Sequence, residues 1–125
     1  MRSIFEFSSN ENVPVGEFLI RIDNPYVLIE VHPKLHDKVK RAETNKNLQI
    51  VVLNSLYVPV VMHLLQELKN DINLCDQYKW ASIINAKCVA SSIDINGEND
   101  VVQIAQKLLN MPFEKLANQG FGVGT

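Results

Sequence analysis

His32, His36 and Asp37, with Glu30 just before them, are the residues whose types most invite metal chemistry. Two histidines four apart form a zinc pair when both stand on one helix, and Pro33 holds His32 in an extended conformation ahead of any helix. They are therefore read as polar residues at a helix start, and neither a metal nor any other cofactor is expected. A small hydrolase built on His32, His36 and Asp37 is the weakest of three functional readings. The second reading rests on Lys34, Lys38, Lys40 and Arg41, which with Lys46 face Asp37 and Glu43 in the same stretch. A helix carrying them would contact phosphates and make the chain a nucleic-acid-associated accessory protein. The competing view is a solvated charged face, because nucleic-acid binders usually carry a larger basic surplus and aromatic platforms. Arg21 extends the patch if it faces the same way.

Other chemistry is scarcer. The run from Asp94 to Asp100 briefly matches a calcium loop. Aligning Gly97 with the invariant glycine leaves Ser92 at the first ligand position and Gln103 where a bidentate Glu is required, so the match fails. No serine or cysteine sits in a nucleophile motif, and no glycine-rich phosphate loop follows a strand. No catalytic residue is assigned, and the reading leans away from an enzyme.

These residues must be held by a fold, and the stretch that organises it is NLQIVVLNSLYVPVVMHLLQ, uncharged between Lys46 and Glu67. Stepping 100° per residue puts Ile50, Leu53, Tyr57, Val60, Val61, Leu64, Leu65 and Leu68 on one stripe. Leu48, Val52 and Leu56, spaced four apart, form a second apolar row, the candidate oligomer interface. A helix apolar on two sides needs a second partner, so a homo-oligomer is expected. Pro59 cannot donate to the Ser55 carbonyl and crowds it, which predicts a kink. A strand over Leu48 to Leu53 followed by a helix is the alternative. Asn54 falls inside the stripe, where its amide is expected to bond a backbone group freed by the proline. The run approaches the ~20 residues that span a bilayer. Gln49, Asn54, Ser55, His63 and Gln66 interrupt it, so no membrane partner is expected.

Around this helix, Ile4 to Phe7, Phe18 to Ile22 and Tyr26 to Val31 alternate like strands, with Asp23-Asn24-Pro25 as a turn. Pro33 opens a short basic helix, Lys34 to about Ala42, anchored by Leu35 and Val39. Asp76 is the expected cap of a packing helix carrying Trp80, Ile83, Ile84 and Cys88. Asp100 with Gln103 reads as a capping box, ahead of an inner stripe of Val101, Ile104, Ala105 and Leu108. Pro112 stops that helix and opens a last one, Phe113 to Asn118, ended by Gly120.

The expectation is an α+β fold over 1-125: a two- or three-stranded antiparallel sheet within 3-32, four or five helices within 33-120 and a flexible tail 121-125. The central kinked helix covers the sheet. At 125 residues, 46% hydrophobic and 21% charged, the chain is large enough to bury a core without metal or disulfide. Its formal net charge is -2. Cys75 and Cys88 suit a reducing cytoplasm, with a disulfide between them left open. Met1-Arg2 is not followed by a signal-peptide apolar region, so a cytoplasmic location is expected.

The block from Trp80 onward, with Asp100, Ile104-Ala105-Gln106-Lys107-Leu108-Leu109 and Pro112, resembles the C-terminal part of uncharacterised bacterial and bacteriophage proteins. The resemblance covers the second half of the chain and rests on helix-packing residues, so it implies a fold and no activity. The leading functional expectation is a non-enzymatic interaction or assembly module of phage or mobile-element origin, partnered by its own copies or another protein.

Overall fold

The computed structural model describes residues 4–121. Three strands come first, β1 (Phe5–Ser9), β2 (Phe18–Arg21) and β3 (Val27–Val31), and the later elements among the described residues are helices. The fold is α+β, with a mixed sheet where an antiparallel one was expected. β3 lies in the middle, antiparallel to β2 and parallel to β1. The β2–β3 turn is the expected tight connection. Residues 10–17, by contrast, carry the chain past the end of β3, where the Asn10 amide donates to the Val31 carbonyl at 2.9 Å. Strand alternation says which face is buried and nothing about which strand is the neighbour.

That alternation holds on β3. Val27, Ile29 and Val31 are buried in the main core, while Leu28 is half-buried on the opposite face. Glu30 shares that outer face and is still only 5% exposed. Asn10 Nδ2 donates to its Oε2 at 2.6 Å, and the Arg21 guanidinium donates to Oε1. These bonds hold the Glu30 carboxyl below the usual carboxylate range despite partial burial. The cluster ties β2, β3 and the start of the crossover loop together.

Helix α1 (Pro33–Ala42) begins as Pro33 predicts, with the His32 ring Nδ1 accepting from the Lys34 amide at 3.1 Å. The stretch Leu48 to Leu53 is helical. α2 (Lys46–Val52) and α3 (Val58–Asn70) are joined by a π-helical turn, Leu53–Tyr57, into a 25-residue helix, Lys46–Asn70. In that turn the Val58 amide bonds the Leu53 carbonyl, five residues back. Widening the helix just ahead of Pro59 eases the crowding its ring would cause. Asn54 bonds main-chain carbonyls, though not the Ser55 carbonyl that Pro59 leaves: it donates to Ile50 at 2.8 Å on its own helix and to Pro112 at 2.9 Å on the C-terminal segment.

Within α3, Val60, Val61, Leu64, Leu65 and Leu68 are buried and join the sheet's inner face and the later helices in one core. α4 (Leu74–Gln77) contains Asp76, which is therefore no cap: α5 (Lys79–Ala90) starts at Tyr78 without a side-chain cap. Its Trp80, Ile84 and Cys88 are buried, and Trp80 Nε1 donates to the Ile22 carbonyl at 2.8 Å. α6 (Val101–Leu108) carries the predicted Asp100–Gln103 capping box, with Ile104, Ala105 and Leu108 inward. α7 (Pro112–Leu116) is shorter than expected and passes into a second π-helical turn, Ala117–Phe121. Of the tail expected to be flexible, Phe121 closes that turn, and residues 122–125 lie outside the described residues.

Candidate interaction site

The basic residues of α1 divide into two sets. Lys34, Lys38 and Arg41, at i, i+4 and i+7, line one side of the helix, and all are exposed. Lys40 lies on another side and faces a cleft toward β1. None of the four takes part in an ion pair among the described residues; Arg41 Nε donates to the Asp37 carbonyl at 3.3 Å. Lys40 and Arg41 also occupy the last turn of α1, where cations offset the exposed carbonyls of the helix end. Arg21 does not extend this patch, since it is engaged with Glu30 on the sheet.

The histidines are similarly placed by local needs. His32 caps α1 through its ring Nδ1, and His36 Nδ1 lies 3.7 Å from Asp37 Oδ1. His63, half-exposed on α3, stands 3.7 Å from Glu67 Oε1 one turn on. Among the described residues no three His, Cys, Asp or Glu side chains gather at metal-binding range. Cys75 and Cys88 are both free; burial raises both thiols above their ordinary pKa, with Asp76 adding to the effect at Cys75. Burial thus disfavours the thiolate, the reactive form, at both.

The helix surface divides differently. α2 is mostly apolar in sequence, yet none of its residues is buried. Leu48 is 47% exposed and Val51 42%. Val52 and Leu56, the other two residues of the expected interface row, are half-buried and pack against the edge of the core. The exposed part of the row is therefore its first residue, and Val51, which periodicity did not single out, stands beside it. Asn47, Val51 and Asn54 share one side of the helix. The Asn47 carbonyl accepts from Gln119 Nε2 at 3.3 Å and Asn54 reaches Pro112, so the C-terminal segment runs along that side. Met111 and Phe113, which flank Pro112, are themselves 45% and 55% exposed. Exposed apolar residues thus stand on two neighbouring segments, α2 and the start of α7.

A cleft of about 410 Å³ lies between β1 and the end of α1, lined by Phe5, Glu6, Phe7, Lys40, Glu43 and Tyr57. Phe5 and Phe7 face Tyr57, with ring centroids 4.9 and 6.2 Å away. The Tyr57 hydroxyl donates to Glu43 Oε1 at 2.9 Å, and Gln49 Nε2 donates to the Glu43 carbonyl, so Glu43 pins the α1–α2 junction. Sequence spacing concealed the cleft because its walls come from residues 5–7, 40–43 and 57. The helix Lys46–Asn70 is long and apolar enough to cross a membrane by length and composition alone, as a core helix also can be; 33% of its most apolar window is buried inside the fold.

No family model matches this chain, nor does any curated protein or solved structure.

Proposed function

We propose that this chain is a non-enzymatic assembly module that associates with further copies of itself through the exposed side of α2, Leu48 and Val51, with Val52 and Leu56 at the margin. The observation that carries this reading is that a mostly apolar helical segment, inside a helix otherwise used as core, has no buried residue. Exposed apolar residues one helical turn apart, as Leu48 and Val51 are, suit a protein contact. Against a membrane role for the same helix stands its α3 half, whose stripe is already packed on the sheet, α5 and α6. An origin in phage or another mobile element, and a cytoplasmic location, belong to the same proposal and rest on the resemblance and composition of the sequence.

The test is light scattering on the purified chain, at low and high salt, beside Leu48→Glu and Val51→Glu. An oligomer that persists in salt and dissociates in both variants supports the reading. A monomer at tens of micromolar, or an oligomer indifferent to both changes, removes it.

A second reading, nucleic-acid association through Lys34, Lys38 and Arg41, is favoured by their exposure along one side of α1 without ion-pair partners. Lys40 contributes less in this reading because it faces the cleft. Binding of a fluorescent duplex should weaken with salt and fall when the three residues become Glu. Binding indifferent to salt, or none at low salt, ends it.

A further inference from the structure

The chain passes from α6 to α7 through two residues whose backbones are left-handed for different reasons. Asn110 (φ 62°) follows the last turn of α6; its amide donates to the Lys107 carbonyl at 3.2 Å, and the Met111 amide donates to the Gln106 carbonyl at 2.8 Å. That pair of bonds completes a helix cap, and asparagine is among the residues that take the left-handed form most readily. Met111 is left-handed too (φ 56°, ψ 59°), which the cap does not require and its side chain disfavours. It also precedes Pro112, and a residue before proline favours an extended backbone. The N-caps of α1, α2, α5 and α6 are all extended, whereas Met111, the N-cap of α7, is held otherwise.

The segment beyond this hinge is fastened lightly. Among the described residues the main core takes its last member at Leu109, and in α7 only Pro112 is buried. Two side-chain amides tie the segment to the long helix, Asn54 on the Pro112 carbonyl and Gln119 on the Asn47 carbonyl. Turning Met111 to the extended region leaves its own amide, and with it the α6 cap, in place, but swings the segment away from α2. Within one chain both ties are then lost. A second copy turned in the same way presents the same Asn54 and Asn47 groups, so the ties are remade between chains while Met111 is relieved of strain. We infer that the chain self-associates by exchanging its C-terminal segment, residues 112–121, with a second copy, and that Met111 is the hinge. Short hinges under strain favour such exchange. Two extended residues span only about 7 Å, so the copies meet beside the seat of the segment, on the side of α2 that carries Val51. The inference rests on the self-association reading and names the form that association takes.

The test uses the full chain carrying Asn47→Cys and Gln119→Cys, prepared with light and with heavy nitrogen. The two preparations are unfolded and refolded together, joined with a short bis-maleimide, digested and weighed by mass spectrometry. In the exchanged form, links between positions 47 and 119 mix heavy and light peptides, whereas the closed chain gives single-label links alone. Cys75 and Cys88 lie on other peptides and do not enter the count. Met111→Gly removes the strain and should lower the share of mixed links by roughly fivefold or more. Met111→Val, β-branched and harder to hold left-handed, should raise it. Met111 is 45% exposed, so neither change disturbs the core, and loss of a side-chain contact would not give opposite effects. Mixed links that fall in one variant and rise in the other support the exchange. Light scattering on the same samples separates the two claims. An oligomer with single-label links alone, or with mixed links indifferent to both hinge variants, overturns the exchange and leaves assembly through α2 standing. A monomer throughout removes both.

Discussion

α2 and α3 belong to one continuous helix and are both predominantly apolar, but they meet opposite fates. In α3 five residues are buried in the core, whereas in α2 none is buried. The difference comes from what lies opposite each half. α3 runs beneath the sheet and against α6, while α2 meets the end of α1 on one side and the short C-terminal segment on another. The π-helical turn Leu53–Tyr57 and the Asn54 side chain sit where one regime gives way to the other. The chain itself thus fully buries residues of this helix only from Tyr57 onward.

The comparison is sharpest at its extremes. Leu64 is fully buried, so Leu64→Ala should lower unfolding stability by roughly 2–5 kcal/mol in a denaturant titration. A loss under about 0.5 kcal/mol would contradict its place in the core. At the boundary, Asn54→Ala removes two hydrogen bonds to main-chain carbonyls and should cost about 1–3 kcal/mol. It should also loosen α7, which hydrogen exchange at α7 amides would detect. If α7 protection is unchanged, the Pro112 contact does not hold that segment.

The sheet beneath α3 supplies a pH-dependent effect. The Glu30 carboxyl is held low by its bonds to Asn10 and Arg21, so the stabilisation it contributes is fully present above the ordinary carboxyl value of 4.5 and is lost as pH falls through the lower folded value. Thermal unfolding midpoints measured from neutral pH downward should drop on the acid side in the native chain and drop less in Glu30→Gln. Parallel acid limbs would show that Glu30 is not coupled to folding. Smallest of all, Leu48→Ala should change monomer stability by less than about 0.5 kcal/mol, because Leu48 is 47% exposed. A core-sized loss there would erase the contrast between the two halves.

Much of the helical layer was legible because its signals are local. Pro33 after His32, and Asp100 three residues before Gln103, each fix a helix start within one turn, and the Val60 to Leu68 stripe is a matter of periodicity. Asp76 misled because a capping residue type also suits the interior of a short helix, and Tyr78 begins α5 without any side-chain cap. Strand order was not legible. Nothing in the alternation of Phe5 to Phe7 says that β1 joins β3 in parallel and leaves β2 on the far side. The burial of Glu30 depends on Asn10 and Arg21, residues that meet it only through that topology. The cleft was hidden for the same reason, since Phe5, Lys40 and Tyr57 become neighbours only after folding. Exposure of α2 was half legible: the second apolar row was visible, but Val52 and Leu56 lean on the core and Val51 faces out.

The most direct measurement of the central claim is the molar mass of the native chain and of the double variant Leu48→Glu with Val51→Glu, by chromatography with light scattering across a concentration series in high salt. The account predicts a native oligomer and a folded, monomeric double variant. A native chain that stays monomeric at every concentration, or a double variant with unchanged mass, would contradict it.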